Sequence, residues 1–209
     1  MTLKIKVCGM CQASNIEALV KLGPDFIGLI FYPKSKRFIG NHISSEFDLL
    51  IPRNLPRVGV FVNESFDDLI EKVKLYNLDF VQLHGDESVA YCTRVKSLGV
   101  SSIKAFGISA DFDFASIASY ESACDYFLFD TSSALRGGTG TKFDWNILNE
   151  YQGSKSFFLS GGINPGDVDA IRVLNHTKLF AIDVNSGFEV EPGVKDIKKL
   201  ESFILQLRG

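Results

Sequence analysis

A closed barrel of eight strand–helix units, (β/α)8, is the α/β fold this sequence predicts, and three observations carry the expectation. Short β-branched or aromatic runs alternate along the whole chain with longer stretches of helical periodicity. Several runs are apolar at successive rather than alternate positions, as in Tyr126-Phe127-Leu128-Phe129, which suits parallel strands covered by helices on the outside. Eight such units fit into 209 residues as a single domain over residues 1–209, with no Pro/Ser-rich linker to divide it.

The strands are expected at Leu3 to Cys8, Phe26 to Phe31, Arg57 to Val62, Phe80 to Leu83, Ser101 to Phe106, Tyr126 to Phe129, Ser156 to Leu159 and Leu179 to Asp183. The intervening helices are expected at Ser14 to Leu22, Ser44 to Leu50, Ser65 to Tyr76, Ser88 to Ser97, Phe112 to Ala118, Trp145 to Asn149, Gly166 to Val173 and Val194 to Leu207. A doubly wound open sheet would announce itself by a Gly-rich dinucleotide turn after its first strand, and Cys8-Gly9-Met10-Cys11 lacks that spacing.

Composition narrows the function classes. A hydrophobic content of 45% with 22% charged residues is that of an ordinary globular chain. The formal charge of -3 and the absence of a Lys/Arg block argue against a nucleic-acid partner. The start of the chain offers neither a signal peptide nor a membrane-spanning stretch, so a cytoplasmic location is expected. Cys8, Cys11, Cys92 and Cys124 are expected as free thiols, with the Cys8/Cys11 spacing leaving a redox or metal pair as the rival reading.

In a closed barrel, functional side chains gather where strands end. Gly137-Gly138-Thr139-Gly140, Ser160-Gly161-Gly162-Ile163-Asn164 and Asn185-Ser186-Gly187 follow the last three strands. Gly138, Thr139, Gly140, Gly161, Gly162, Ser186 and Gly187 are therefore candidates for binding a phosphate through backbone amides; ordinary turns are the alternative. Cys8, closing the first strand, is a candidate base or nucleophile or else a small buried hydrophobe, and Lys6 is near enough to lower its thiol. Asp130 ends an apolar strand that favours its protonated form, which makes it a candidate proton donor; a loop cap or a partner for Arg136 is the other reading. Arg37 suits a ligand carboxylate or a solvated loop, and His84 a donor role or a cap.

Read together, the segments Lys6-Val7-Cys8-Gly9-Met10, Phe31-Tyr32-Pro33-Lys34-Ser35-Lys36-Arg37, Val58-Gly59-Val60-Phe61-Val62-Asn63, Val81-Gln82-Leu83-His84-Gly85, Leu128-Phe129-Asp130-Thr131, Gly137-Gly138-Thr139-Gly140, Ser160-Gly161-Gly162-Ile163 and Asp183-Val184-Asn185-Ser186-Gly187 resemble the phosphoribosylanthranilate isomerase family over nearly the whole chain. The resemblance implies a TIM barrel that carries out an Amadori rearrangement in tryptophan biosynthesis. It implies Cys8 as general base, Asp130 as general acid, Arg37 on the anthranilate carboxylate and the late glycine loops on the phosphate. It implies a small phosphorylated substrate, no cofactor, no metal, and a monomer or homodimer. Asn185, where Ser is common in the family, Phe188, where a smaller aliphatic residue is usual, and Thr141-Lys142 in place of Lys-Thr depart from the pattern and bear on loop detail. Two rival readings are a sugar-phosphate lyase or decarboxylase using Lys6 or Lys104, and a non-catalytic binding barrel.

Overall fold

Every expected strand is present, and the eight close on themselves. The computed structural model describes residues 3–40, 49–131 and 142–209. Strands β1 (Lys4–Cys8), β2 (Phe26–Ile30), β3 (Arg57–Phe61), β4 (Phe80–Leu83), β5 (Ser101–Ile108), β6 (Tyr126–Thr131), β7 (Phe157–Leu159) and β8 (Leu179–Val184) form a closed barrel in sequence order. All neighbours are parallel, and β8 returns to β1 with Lys6 opposite Asp183.

Helices α1 (Ala13–Lys21), α2 (Phe66–Leu75), α3 (Val89–Lys96), α4 (Val168–Val173) and α5 (Ile197–Arg208) cover the outside. Side-chain caps set several starts: Ser65 accepts from the Asp68 amide, Ser88 from Tyr91 and Asp196 from Lys199. The helix expected at Ser44 to Leu50 lies outside the described residues except for its last two positions. Among the described residues no helix is long and apolar enough to cross a membrane.

Three helix expectations need correction. After β5 and β6 the chain makes 3-10 turns, Phe114–Tyr120 and Trp145–Glu150, rather than α-helices. Asp113 and Asp144 cap them, and their Ser and Asn content weakens helical propagation. The last helix begins at Ile197 and not Val194, because Pro192-Gly193 turns the chain into a hairpin of β9 (Glu189–Glu191) and β10 (Val194–Lys195). Gly193, at φ 88°, takes the left-handed conformation that turn requires.

The barrel interior is layered. At the amino-terminal ends of the strands, Phe26, Phe80, Tyr126, Phe158 and Phe180 pack edge-to-face or tilted with centroids 4.8–6.1 Å apart, under a Lys4 ammonium 4.7 Å from the Phe180 ring. Val58, Ile103, Ala105, Leu128 and Ala181 fill the layer above. Cys8, Ile30 and Val60 form the next. A sealed aromatic floor leaves the carboxyl ends of the strands as the open end.

Candidate active site

β1 places two polar side chains in the lumen. Cys8 is buried and fits there because the neighbouring strand carries Gly28, whose Cβ would lie 2.6 Å from the Cys8 sulfur. Two residues earlier on the same face, fully buried Lys6 meets Asp183 of β8, Nζ to Oδ2, at 2.8 Å. Burial works against the Lys6 cation, but Asp183 and Cys8 outweigh it and hold the ammonium above its ordinary value. Burial pushes Asp183 up against the pull of Lys6. The Lys6 ammonium donates to Oδ2 of Asp183, whereas Oδ1 of Asp183 has no donor among the described residues.

The expectation that Lys6 lowers the Cys8 thiol is corrected by this environment. Burial pushes the thiol up, and the opposing pull of Lys6 and Lys195 does not overcome it, with Asp183 adding to the upward shift. Cys11 is no partner for Cys8: its thiol donates to the carbonyls of Arg37 at 3.2 Å and Gly9 at 3.7 Å, and all four cysteines are free.

Asp130 stands on β6, three strands from β1 around the ring. Its Oδ1 accepts from the Thr131 amide at 2.7 Å, and its Oδ2 lies 3.4 Å from His84 Nε2. The Nδ1 of His84 is 2.9 Å from Gln82 Nε2, both side chains coming from the end of β4 and its following loop. Arg136, its suggested alternative partner, lies outside the described residues.

Arg37 is not a free solvated base. The Glu189 carboxylate takes its Nε–Nη2 edge at 2.6–3.0 Å, which leaves the Nη1–Nη2 edge for another carboxylate. Glu189 also accepts from the buried Lys195 ammonium at 2.5 Å, and Lys195 donates to Asn185 at 2.7 Å. Burial would raise the Glu189 carboxyl, but Arg37 and Lys195 hold it below its ordinary range. One carboxylate between two cations leaves the rim beside Cys8 with a positive charge in excess.

The late loops meet one another. Gly161, at φ 91°, packs against Thr131, and a Cβ there would lie 2.4 Å from the Thr131 hydroxyl. Gly187 lies against the Ile163 carbonyl, 2.2 Å from where its Cβ would be. Among the described residues the amides of Gly161, Gly162, Ser186 and Gly187 donate no hydrogen bond, so they are available to an anion. Gly138, Thr139 and Gly140 lie outside the described residues.

Lys104 cannot serve a lumen reaction. It alternates with the interior residues Ile103 and Ala105, and its ammonium pairs with Glu87 at 3.2 Å while donating to the carbonyls of Leu83, Gly85 and Ala105. The residues absent from the sequence reading of the site are Asp183, Gln82, Glu189 and Lys195. Asp183 gave the same sign as Asp130, a carboxylate ending an apolar strand; the other three gave none.

With this geometry in place, the comparisons with known proteins are specific. The family model described as N-(5'phosphoribosyl)anthranilate (PRA) isomerase matches residues 5–206. An N-(5'-phosphoribosyl)anthranilate isomerase of Parabacteroides distasonis is 46% identical over 207 residues, covering 97% of this chain and 92% of that protein. The phosphoribosyl anthranilate isomerase structure from Thermotoga maritima superposes with a TM-score of 0.87 at 35% identity, covering 99% of each chain. A phosphoribosyl anthranilate isomerase in complex with reduced 1-(o-carboxyphenylamino)-1-deoxyribulose 5-phosphate gives 0.84 at 33% identity, again over 99% of each chain. The chain belongs to the N-(5'-phosphoribosyl)anthranilate isomerase family.

Proposed function

We propose that the chain converts N-(5'-phosphoribosyl)anthranilate into 1-(2-carboxyphenylamino)-1-deoxyribulose 5-phosphate in tryptophan biosynthesis, with Asp130 as general acid and Cys8 as general base. The observation that carries this reading is a thiol and a carboxyl ending β1 and β6 at the open end of a barrel whose other end is sealed. Asp130 donates its proton to the furanose ring oxygen, and the C1–O bond opens to a protonated Schiff base. The Cys8 thiolate then removes the proton on C2, giving an enolamine that ketonises as C1 takes up a proton and the C2 hydroxyl loses one.

Both ends of the substrate are anionic, and each has a matching group. The Nη1–Nη2 edge of Arg37, oriented from behind by Glu189, takes the anthranilate carboxylate in a fork. The unused amides of Gly161, Gly162, Ser186 and Gly187 take the phosphate, and the resemblance of the sequence to the family adds Gly138, Thr139 and Gly140 to that role. Fixing both ends sets the sugar carbons between acid and base. His84 contributes a donor toward Asp130. A cytoplasmic location accords with this metabolic role.

The pH dependence tests the assignment of the base. Because burial holds the Cys8 thiol above its ordinary value, the active thiolate is a minor form at neutrality, and its share grows as pH rises. Dividing the kcat/KM profile of the wild type for phosphoribosylanthranilate by that of the residual activity of Cys8→Ser cancels the titration of every other group, and on the acidic side of the thiol's titration the ratio is expected to climb about tenfold per pH unit from neutrality upward. A ratio flat between pH 6 and 8, with viscosity controls showing that chemistry limits both rates, would remove Cys8 from that role.

A further inference from the structure

We propose that Gln82 is a positioning residue: it fixes His84 as the tautomer protonated on Nε2, and through that N–H it holds the carboxyl of Asp130. The proposal rests on Asp130 being the acid of the rearrangement, but its first consequence is a property of the protein without substrate.

The side chains form a short chain from one strand to another. Gln82 is 2% exposed in the middle of β4, opposite Val60 and Ile103, and its Nε2 lies 2.9 Å from His84 Nδ1. An amide N–H can only donate, so Nδ1 must present its lone pair, and in a neutral imidazole the ring proton then sits on Nε2. That nitrogen faces Asp130 Oδ2 at 3.4 Å. With the Thr131 amide donating to Oδ1, a donor brought up to Oδ2 from His84 would fix the plane of the carboxyl. At 3.4 Å the two groups are within ion-pair distance, and catalytic contacts are often this long before substrate is bound.

The opposite orientation of the amide is worse on two counts. As it stands, one polar atom of Gln82, the oxygen Oε1, has no donor among the described residues. Turned over, Oε1 would accept from Nδ1–H and Nε2 would become the buried atom without a partner, and an orphaned N–H group is rarer in folded proteins than an under-satisfied oxygen. His84 Nε2 would then be an acceptor that draws the proton of the Asp130 acid toward the imidazole and away from the substrate. Sequence alone gives no access to this chain of contacts, because a Gln inside a strand reads as an ordinary polar position.

The test is nitrogen-15 NMR of the imidazole side chains in the whole protein, at a pH where they are neutral. The sequence has three histidines, His42, His84 and His176, so the His84 signals are identified by their loss in His84→Gln. The wild type is expected to show one tautomer for His84, protonated on Nε2 with Nδ1 as acceptor. Gln82→Glu, whose carboxylate accepts from Nδ1–H, is expected to protonate Nδ1. It should also lower kcat by roughly tenfold or more, with KM within about twofold, as disturbing an orienting tautomer does elsewhere. Gln82→Met, which removes the donor, should give a tautomer mixture. An Nδ1-protonated His84 in the wild type, or the same tautomer in all three proteins, would overturn the proposal whether or not the chain turns over substrate. A changed tautomer with unchanged kcat would overturn the positioning role.

Discussion

Replacing Cys8 with Ser, or Asp130 with Asn, is expected to lower kcat by at least about a hundredfold, the range lost with a positioned base or acid. A serine hydroxyl keeps the size and place of the thiol but gives up its proton far less readily, so the C2 proton has no acceptor. Asparagine keeps the shape of the carboxyl and the acceptor for the Thr131 amide, but has no acidic proton for the ring oxygen. Neither change touches Arg37 or the glycine amides, so a stable product analogue should bind almost as well to each variant as to the wild type. Cys11→Ser is the control, since that thiol is turned toward the carbonyls of Gly9 and Arg37. Turnover near the wild-type rate in either variant, measured on protein with an unchanged unfolding midpoint, would strike that residue from the mechanism.

Lys6→Met is expected to cost stability on the scale of roughly 3–5 kcal/mol, because it leaves Asp183 buried without its cation. The pH dependence of that loss separates electrostatics from packing. Burial already pushes the Asp183 carboxyl up in the folded protein, and without Lys6 the shift grows. A carboxyl raised by folding binds its proton more tightly in the native state, so its contribution is favourable at low pH and is lost as pH rises through the folded-state value. The deficit of Lys6→Met relative to the wild type should therefore be largest at neutrality and shrink as pH falls toward about 4. Urea unfolding of both proteins at a series of pH values measures it. A deficit constant with pH would mean that lost packing, not an unpaired carboxylate, accounts for the effect.

How much of this was legible in the sequence depended on whether the information was local. Phe26–Ile30 is buried throughout and so are Phe127, Leu128 and Phe129 of β6, and burial on both faces is what a continuous apolar run encodes. The two 3-10 turns had helix-like apolar spacing, but periodicity does not register how Ser, Asn and Asp compete for the backbone. The β9–β10 hairpin was hidden because Val194 and Lys195 continue the apolar and polar rhythm of the helix that follows; Pro192-Gly193 was the overlooked sign. Cys8, Asp130 and Asp183 interrupt apolar strands, so position alone marks them. Glu189 and Lys195 acquire meaning only from Arg37, 152 residues from Glu189 in sequence, and Gln82 only from the ring nitrogen it meets. The direction of the Cys8 shift was also unreadable, since the nearby lysine is visible in sequence and the depth of burial that outweighs it is not.

The most direct test of the central claim is to supply the purified chain with N-(5'-phosphoribosyl)anthranilate, without added metal or cofactor, and follow the change in anthranilate fluorescence as the aminoketose forms. The account predicts turnover whose rate is proportional to the amount of chain and is abolished in the Cys8→Ser, Asp130→Asn double variant. A folded chain that leaves the fluorescence at its uncatalysed drift, or a double variant as fast as the wild type, would contradict it.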